Sequence, residues 1–315
     1  MVMRLFAIFL TAVLIALPSA AKAAPKELVI GISQFPSNFN PLINSMLAKS
    51  YMLALARRPI TVFDQDWNLI CVMCKALPDL ATGTAVYETA TDGKPGIAVT
   101  YELLAEAKWG DGTPITTEDV LFTWQVGRHE HSGVSDSETF RRITSIDVHS
   151  DKKFTLHVNK RTCDYAGING LELLPAHIDR KNFKEPREYR NRSAYERDTT
   201  NPGLWFGPYR IAEVVSGAHV VFERNPHWWG KQPYFDRIVV KAIGNTAAMT
   251  ASLLSGGIDY IAGELGLSID QAMAFEKRAA DRFLFNYKPG LIYEHIDVNL
   301  DVPVLQDRRV RRALM

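Results

Sequence analysis

Trp109-Gly110-Asp111-Gly112-Thr113-Pro114-Ile115-Thr116-Thr117-Glu118-Asp119-Val120-Leu121-Phe122-Thr123 is the stretch from which the rest of the chain can be read. Trp109 brings a large ring suited to burial, and Asp111-Gly112 makes a turn in which glycine tolerates left-handed φ. Thr116 and Thr117 then cap a helix expected to run to about Arg128. Thr116-x-x-Asp119 has capping-box spacing, and the early acids Glu118 and Asp119 suit the positive end of the helix dipole. Adjacent residues on a helix project about 100° apart, so these two acids do not converge on a substrate as a general acid and base. They are read as surface acids that complement the dipole.

Working outward, Glu27–Ser33 alternates Leu28, Ile30 and Ile32 and reads as a strand. It runs into a polar and aromatic loop from Gln34 to Pro41, and Met46–Arg57 follows as a helix stopped by Pro59. Tyr101–Leu104 is a strand that leads into the Trp109 turn. Ile146–His149 and Phe154–Val158 alternate around Ser150-Asp151-Lys152, a hairpin whose polar face carries His149 and His157 as solvated residues. A second hairpin, Tyr209–Val215 and Val220–Arg224, turns at Ser216-Gly217-Ala218. Ile238–Ile243 is a strand, Thr246–Ser255 a helix ended by Gly256-Gly257, and Ile258–Ile261 a buried strand. Ser268-x-x-Gln271 opens a helix to about Ala280, and a strand is expected over 292–300. Asp179–Asn201 is densely charged and reads as a surface crossing between domains. The fold class is α/β with mixed sheets.

The chain has 315 residues, 47% hydrophobic and 23% charged, with a net charge of +1. That balance gives no reason to expect a nucleic-acid partner, which requires clustered Lys and Arg. Residues 1–23 combine Arg4, an apolar run from Leu5 to Leu17 and a small-x-small site at Ala21-Lys22-Ala23. These are the parts of a cleaved secretory signal, and no Cys near the cut offers a lipid anchor. Removing Arg4 and Lys22 would take the charge from +1 to −1. Export into an oxidising space makes the three cysteines candidates for a structural disulfide, either Cys71–Cys74 or one of these to Cys163. Zinc would need further ligands, and His129-Glu130-His131 is the one local histidine cluster, so no metal and no cofactor are expected. No nucleophile elbow, zincin helix, phosphate loop or dinucleotide fingerprint is found, and the chain is not expected to be an enzyme.

The opening stretch resembles the hallmark of family 5 extracellular solute-binding proteins, the periplasmic receptors of peptide-type ABC importers. Three further blocks are similar to that family, in its order. They are Asn201-Pro202-Gly203 with Gly207-Pro208-Tyr209, Glu223–Gly230 and Pro233–Ile238; then Leu254–Tyr260; then Pro303 with Asp307–Leu314. The resemblance implies a periplasmic-binding-protein type II fold with two hinged lobes and an extra domain, closing around a solute. Carried onto this chain, residues 24–60 and 190–265 form lobe I, 61–189 the extra domain, and 266–315 the start of lobe II. Arg308–Met315 begins a helix at the Asp307 cap and stops within two turns, so lobe II is expected to be incomplete and the chain truncated.

Ligands of open α/β sheets sit outside the carboxyl ends of the strands. Phe35, Asn38 and Phe39, in the loop after the first strand, are therefore expected to face the cleft, and Glu264 to meet an α-amino group. Tyr293, His295 and Asn299 share one face of the strand expected at 292–300. The expected activity is capture of a peptide by a monomeric receptor, for delivery to an inner-membrane permease and ATPase. Alternatives are a non-peptide solute of the same family (an opine, haem, nickel or an oligosaccharide), an exported hydrolase, or a non-functional fragment.

Overall fold

The computed structural model describes residues 26–168, 170–288 and 296–314. The signal segment expected at 1–23, with Tyr293 and His295, lies outside the described residues. Contacts divide the chain into two units, the first reaching Gly266 and the second starting at Leu267.

The first unit is built on two sheets. Strands β1 (Glu27–Ile32), β8 (Tyr209–Val215), β9 (His219–Arg224), β10 (Arg237–Ala242) and β11 (Tyr260–Ile261) form one, in the order β11-β1-β10-β9-β8. Here β1 runs parallel to β10 and β11, and β8, β9 and β10 form an antiparallel meander. Val239 and Val240 are buried, as befits a strand covered on both faces. The expected buried strand at 258–261 is shorter: Ile258 is buried, but Tyr260 lies in an edge strand and is 52% exposed. Helix α1 (Leu47–Ala56) precedes the second sheet, and the crossover from β10 to β11 contains the helix Thr246–Leu254.

The second sheet is fully antiparallel. It joins β4 (Ala85–Thr89), β5 (Pro95–Glu102), β6 (Ile143–Val148) and β7 (Lys153–Val158) in the order β4-β5-β7-β6. A small ribbon, β2 (Thr61–Phe63) with β3 (Leu69–Cys71), stands apart from it. Cys71 and Cys74 are joined by a disulfide at the end of this ribbon, and Cys163 is a free, exposed thiol.

Helix α2 (Thr117–Arg128) starts with the capping box read from sequence. The turn before it closes through hydrogen bonds from Gly112 N to Trp109 O (2.9 Å) and from Trp109 N to Thr113 O (2.8 Å). Gly112 has φ +90°, the left-handed region that favours glycine. At Gly110 the constraint is space, since a Cβ would come within 2.6 Å of Pro202 O and 2.8 Å of Trp205 O. Asp119 is not the surface acid expected. It is 3% exposed and accepts hydrogen bonds from Trp109 Nε1 (3.2 Å), Thr116 N (2.9 Å) and Ala176 N (2.9 Å). Its place in the cap turns the carboxylate back under the indole ring, whereas Glu118 next to it is exposed and pairs with Arg180 at 2.8 Å. Burial pushes the Asp119 carboxyl above the usual range, against the three donated hydrogen bonds.

The segment expected as a surface crossing also contributes to the core. Asp179, Tyr189 and Tyr195 are fully buried. The Tyr189 hydroxyl donates to Asp179, which also accepts from Asn182 Nδ2 and Ala194 N, each at 2.8 Å. The charge density of the sequence hid these few inward residues, which the short helical turns of 176–204 aim at one point.

His157 is likewise not simply solvated. Its Nδ1 lies 3.0 Å from Glu88 Oε1 and its Nε2 3.1 Å from Asp147 Oδ2. The register sets His157 opposite Ala98 of β5, and the small Gly96 and Ala98 let Glu88 reach across from β4. His149 Nε2 is 2.8 Å from Thr155 Oγ1. Burial alone would lower the His157 pKa, but the two carboxylates outweigh it and raise it.

In the second unit, α3 is the helix Ile269–Ala279, capped by Ser268 and Gln271 as its sequence suggests. Its Phe275 packs against Phe283 and Phe285, with ring centroids 5.9 and 5.7 Å apart. Asp307 caps the helix Arg308–Ala313, accepting from Arg309 N at 2.8 Å. Residues 296–299 form no strand, so the described part of the stretch expected as a strand is irregular.

Two outcomes are expected. Asp119→Ala leaves three N–H groups without acceptors, two of them buried and one half-buried, and should cost roughly 3 kcal/mol in urea unfolding. His157→Gln should cost under about 1 kcal/mol near pH 6, where the imidazolium is bridged by two carboxylates. Because the folded pKa lies above the unfolded one, this stabilisation is complete below about pH 6.5 and fades as pH rises through the folded pKa. Unfolding curves of the variant and the parent should therefore converge in alkali.

Candidate functional site

The carboxyl ends of β1, β10 and β11 lie side by side because these three strands are parallel. The crossover helix Thr246–Leu254 begins at this end of the sheet, with Asn245 Oδ1 accepting from Ala248 N at 2.7 Å. The loop after β1 is tied to the segment after β11 by Ser33 N donating to Leu265 O at 2.6 Å.

Of the residues expected to contact a ligand here, Glu264 is exposed and accepts a hydrogen bond from the Tyr51 hydroxyl at 2.8 Å. Burial and this bond to a carboxylate raise the Tyr51 pKa, so the phenol stays protonated and donating. Phe35 is half-buried, edge-on to Phe39 with centroids 6.3 Å apart. Phe39 is 5% exposed and Asn38 9%, so these two support the loop from beneath. The physical reason is Lys49. This helix lysine, 3% exposed, donates to Asn38 Oδ1 (3.3 Å), Asn40 O (2.7 Å) and Ile43 O, and so pulls the loop down onto α1. Burial first, then the nearby Arg57, lowers its pKa to about 8. Asn299 belongs to the second unit, where its side chain accepts from Asp301 N at 2.9 Å in a turn.

Sequence reasoning missed Tyr51 and Lys49. Lys49 carried a readable signal, a lone cation within the apolar helix Leu47–Ala56. Tyr51 carried none, because its partner lies 213 residues away. Among the described residues no group of three or more His, Cys, Asp or Glu side chains is placed to hold a metal ion. No helix among them is long and apolar enough to cross a membrane.

Residues 75–315 match the sequence profile of the bacterial extracellular solute-binding proteins, family 5. The chain belongs to this family. An ABC transporter peptide-binding protein, so named, of Brucella ovis is 25% identical to the family 5 chain over 290 residues, covering 91% of it and 49% of the relative. A protein of Brucella melitensis named as a binding protein is 27% identical over 241 residues, 69% of this chain and 35% of its own length. The chain thus spans about half the length, or less, of these curated relatives. Among solved structures, the oligopeptide-binding protein of Thermus thermophilus complexed with a pentapeptide superposes with a TM-score of 0.75 at 26% identity. That match covers 90% of this chain and 53% of the other. The Campylobacter jejuni NikZ structure with Ni(L-His) gives a TM-score of 0.66 at 21% identity over 92% of this chain and 53% of its own, a likeness of fold. The fold is the type II periplasmic binding protein fold.

If Lys49 is the clamp of the loop, Lys49→Met should destabilise the family 5 chain by roughly 1–3 kcal/mol, because two backbone carbonyls lose their buried donor. Limited proteolysis should then cut first within residues 38–43.

Proposed function

We propose that this family 5 chain serves as a periplasmic receptor that captures peptides between two lobes and hands them to an ABC importer. The observation that carries this reading is the match to the family over residues 75–315, joined to the likeness with a pentapeptide-bound oligopeptide-binding protein over 90% of the chain. On this reading residues 24–60 and 190–265 belong to lobe I, 61–189 to the extra domain and 266–315 to lobe II. The protein works as an exported monomer, without a cofactor and without turnover of its ligand.

Glu264 is the residue of lobe I best suited to a peptide amino terminus. Its carboxylate is exposed just beyond β11, and Tyr51 fixes it through one oxygen, leaving the other free to accept from an ammonium group. Hydrogen bonds to charged groups contribute about 1.5–3 kcal/mol each, so this contact would orient a peptide but would not hold one alone.

Titration of the full chain with a pool of short peptides, followed by calorimetry on the best binders, tests the reading. Saturable binding of one peptide per chain is expected, with every peptide recovered intact by mass spectrometry. Glu264→Gln should weaken that binding about tenfold, and N-acetylated peptides should lose the same increment. Hydrolysis of the peptides would support the exported hydrolase instead. A chain that binds no member of the pool overturns the peptide reading.

A further inference from the structure

The antiparallel register of the second sheet gathers basic residues that lie far apart in sequence. Strand β5 begins where β7 ends and where β6 begins, since Val158 pairs with Ile97 on one side and Ile143 on the other. Lys94 immediately precedes β5, and Lys160 stands two residues past β7. Arg141 and Arg142 close the short helix Glu138–Arg142 that leads into β6. Asn159 N donates to Arg142 O at 3.0 Å and fixes the end of that helix beside the end of β7. The result is an open cavity of about 400 Å³ lined by Lys94, Glu138, Arg141, Arg142, Asn159 and Lys160.

Four cations face this cavity, and two carboxylates serve them. Asp92 lies 3.0 Å from Lys94 Nζ and accepts from Asn159 Nδ2 at 2.6 Å. The hydrogen bonds from Asn159 and Lys94 hold the Asp92 carboxyl below its usual range, so it stays an engaged anion. Glu138 accepts from Arg142 Nη2 at 2.5 Å. Arg141 donates to Ser137 Oγ, and Lys160 has no hydrogen-bond or ion-pair partner among the described residues. Four cations against two carboxylates leave a surplus of two positive charges, in a chain whose total is +1.

Like charges held together repel, and two exposed ion pairs offset that repulsion only slightly. A multiply charged anion that meets all four cations relieves it more fully. No apolar side chain lines the cavity, which suits a compact polyanion and not the apolar body of an organic acid. The planar fork of arginine matches paired phosphate oxygens, and lysine meets phosphate as a point charge. The Asn159 amide, with one N–H on Asp92, has a second to donate. We propose that this end of the sheet is an anion site for phosphate groups. Arg141 and Lys160 supply its uncommitted charge, and Lys94 and Arg142 turn from their carboxylates to complete it. A soluble polyphosphate and the headgroups of an anionic bilayer share this chemistry, and the open cavity admits either.

Pyrophosphate and phosphatidylglycerol vesicles are the probes for the two sources, used on the full chain at constant ionic strength set with chloride. Saturable binding of one pyrophosphate per chain in calorimetry assigns the site to a soluble anion. Sedimentation with phosphatidylglycerol but not phosphatidylcholine vesicles assigns it to a lipid headgroup. Arg141→Gln combined with Lys160→Gln should weaken whichever binding is found about tenfold or more. Both side chains are exposed, so the melting temperature of this variant in chloride alone should match the parent's. Lys231→Gln combined with Lys277→Gln removes the same charge from exposed positions elsewhere and should change the affinity less than about twofold. Glu264→Gln should leave it unchanged, which separates this site from the one proposed for peptides. The proposal is overturned if neither probe binds beyond its chloride or phosphatidylcholine control. It is overturned equally if the Arg141 and Lys160 variant binds as the parent does, or if the Lys231 and Lys277 variant loses as much.

Discussion

The buried carboxylate of Asp119 holds together parts of the chain that share no secondary structure. Its oxygens receive the Trp109 indole, the start of α2 and the backbone at Ala176. Trp109 in turn stands edge-on to Phe206, with centroids 4.8 Å apart, and Gly110 N donates to Trp205 O at 2.6 Å. Phe206 N and Gly207 N both donate to Ala56 O at the end of α1. A buried charge is tolerable only when its lone pairs are filled, and here each donor comes from a different segment. The same requirement that makes the carboxylate costly to bury thereby sets where three stretches of chain must meet.

This arrangement explains why the family's motifs are so readable and yet so uninformative about ligands. Trp109, Asp119 and Asn225 are all buried, and Asn225 spends its side chain on Gly207 O at 3.0 Å and on His227 N at 2.9 Å. Tyr209 donates its hydroxyl to Phe235 O at 3.0 Å. These residues hold the scaffold together. Under the function proposed above, the solute meets residues such as Tyr51 and Glu264, which no motif contains.

Local order was legible where local physics decides it. The alternation in β1, both hairpins and the capping boxes of α2 and α3 stand in the structure within a residue or two of their expected limits, except that β6 starts three residues before the expected Ile146. What could not be read depends on distant partners. Asp119 looks like any early helix acid until Trp109 covers it, and Tyr189 and Tyr195 are lost among charges until Asp179 and Trp205 gather them. Around the candidate site the strand ends could be placed from sequence, but the side chains could not. Asn38 and Phe39 are packed inward, which their sequence did not show, because a buried lysine ten or so residues later draws that loop down.

The central strand β1 carries a consequence for how the chain comes into being. Its parallel partners stand some 210 and 230 residues downstream, as the contacts of Lys26 with Asp236 and Val29 with Asp259 record. The sheet of β4 to β7 and the meander of β8 to β10 can each form from neighbours in sequence, but β1 must wait for almost the whole first unit to be synthesised. Closing so long a loop is slow, and it leaves the segment following the amino terminus without its native strand partners during translation. The topology itself thus postpones closure of the first sheet until its last strand has been made.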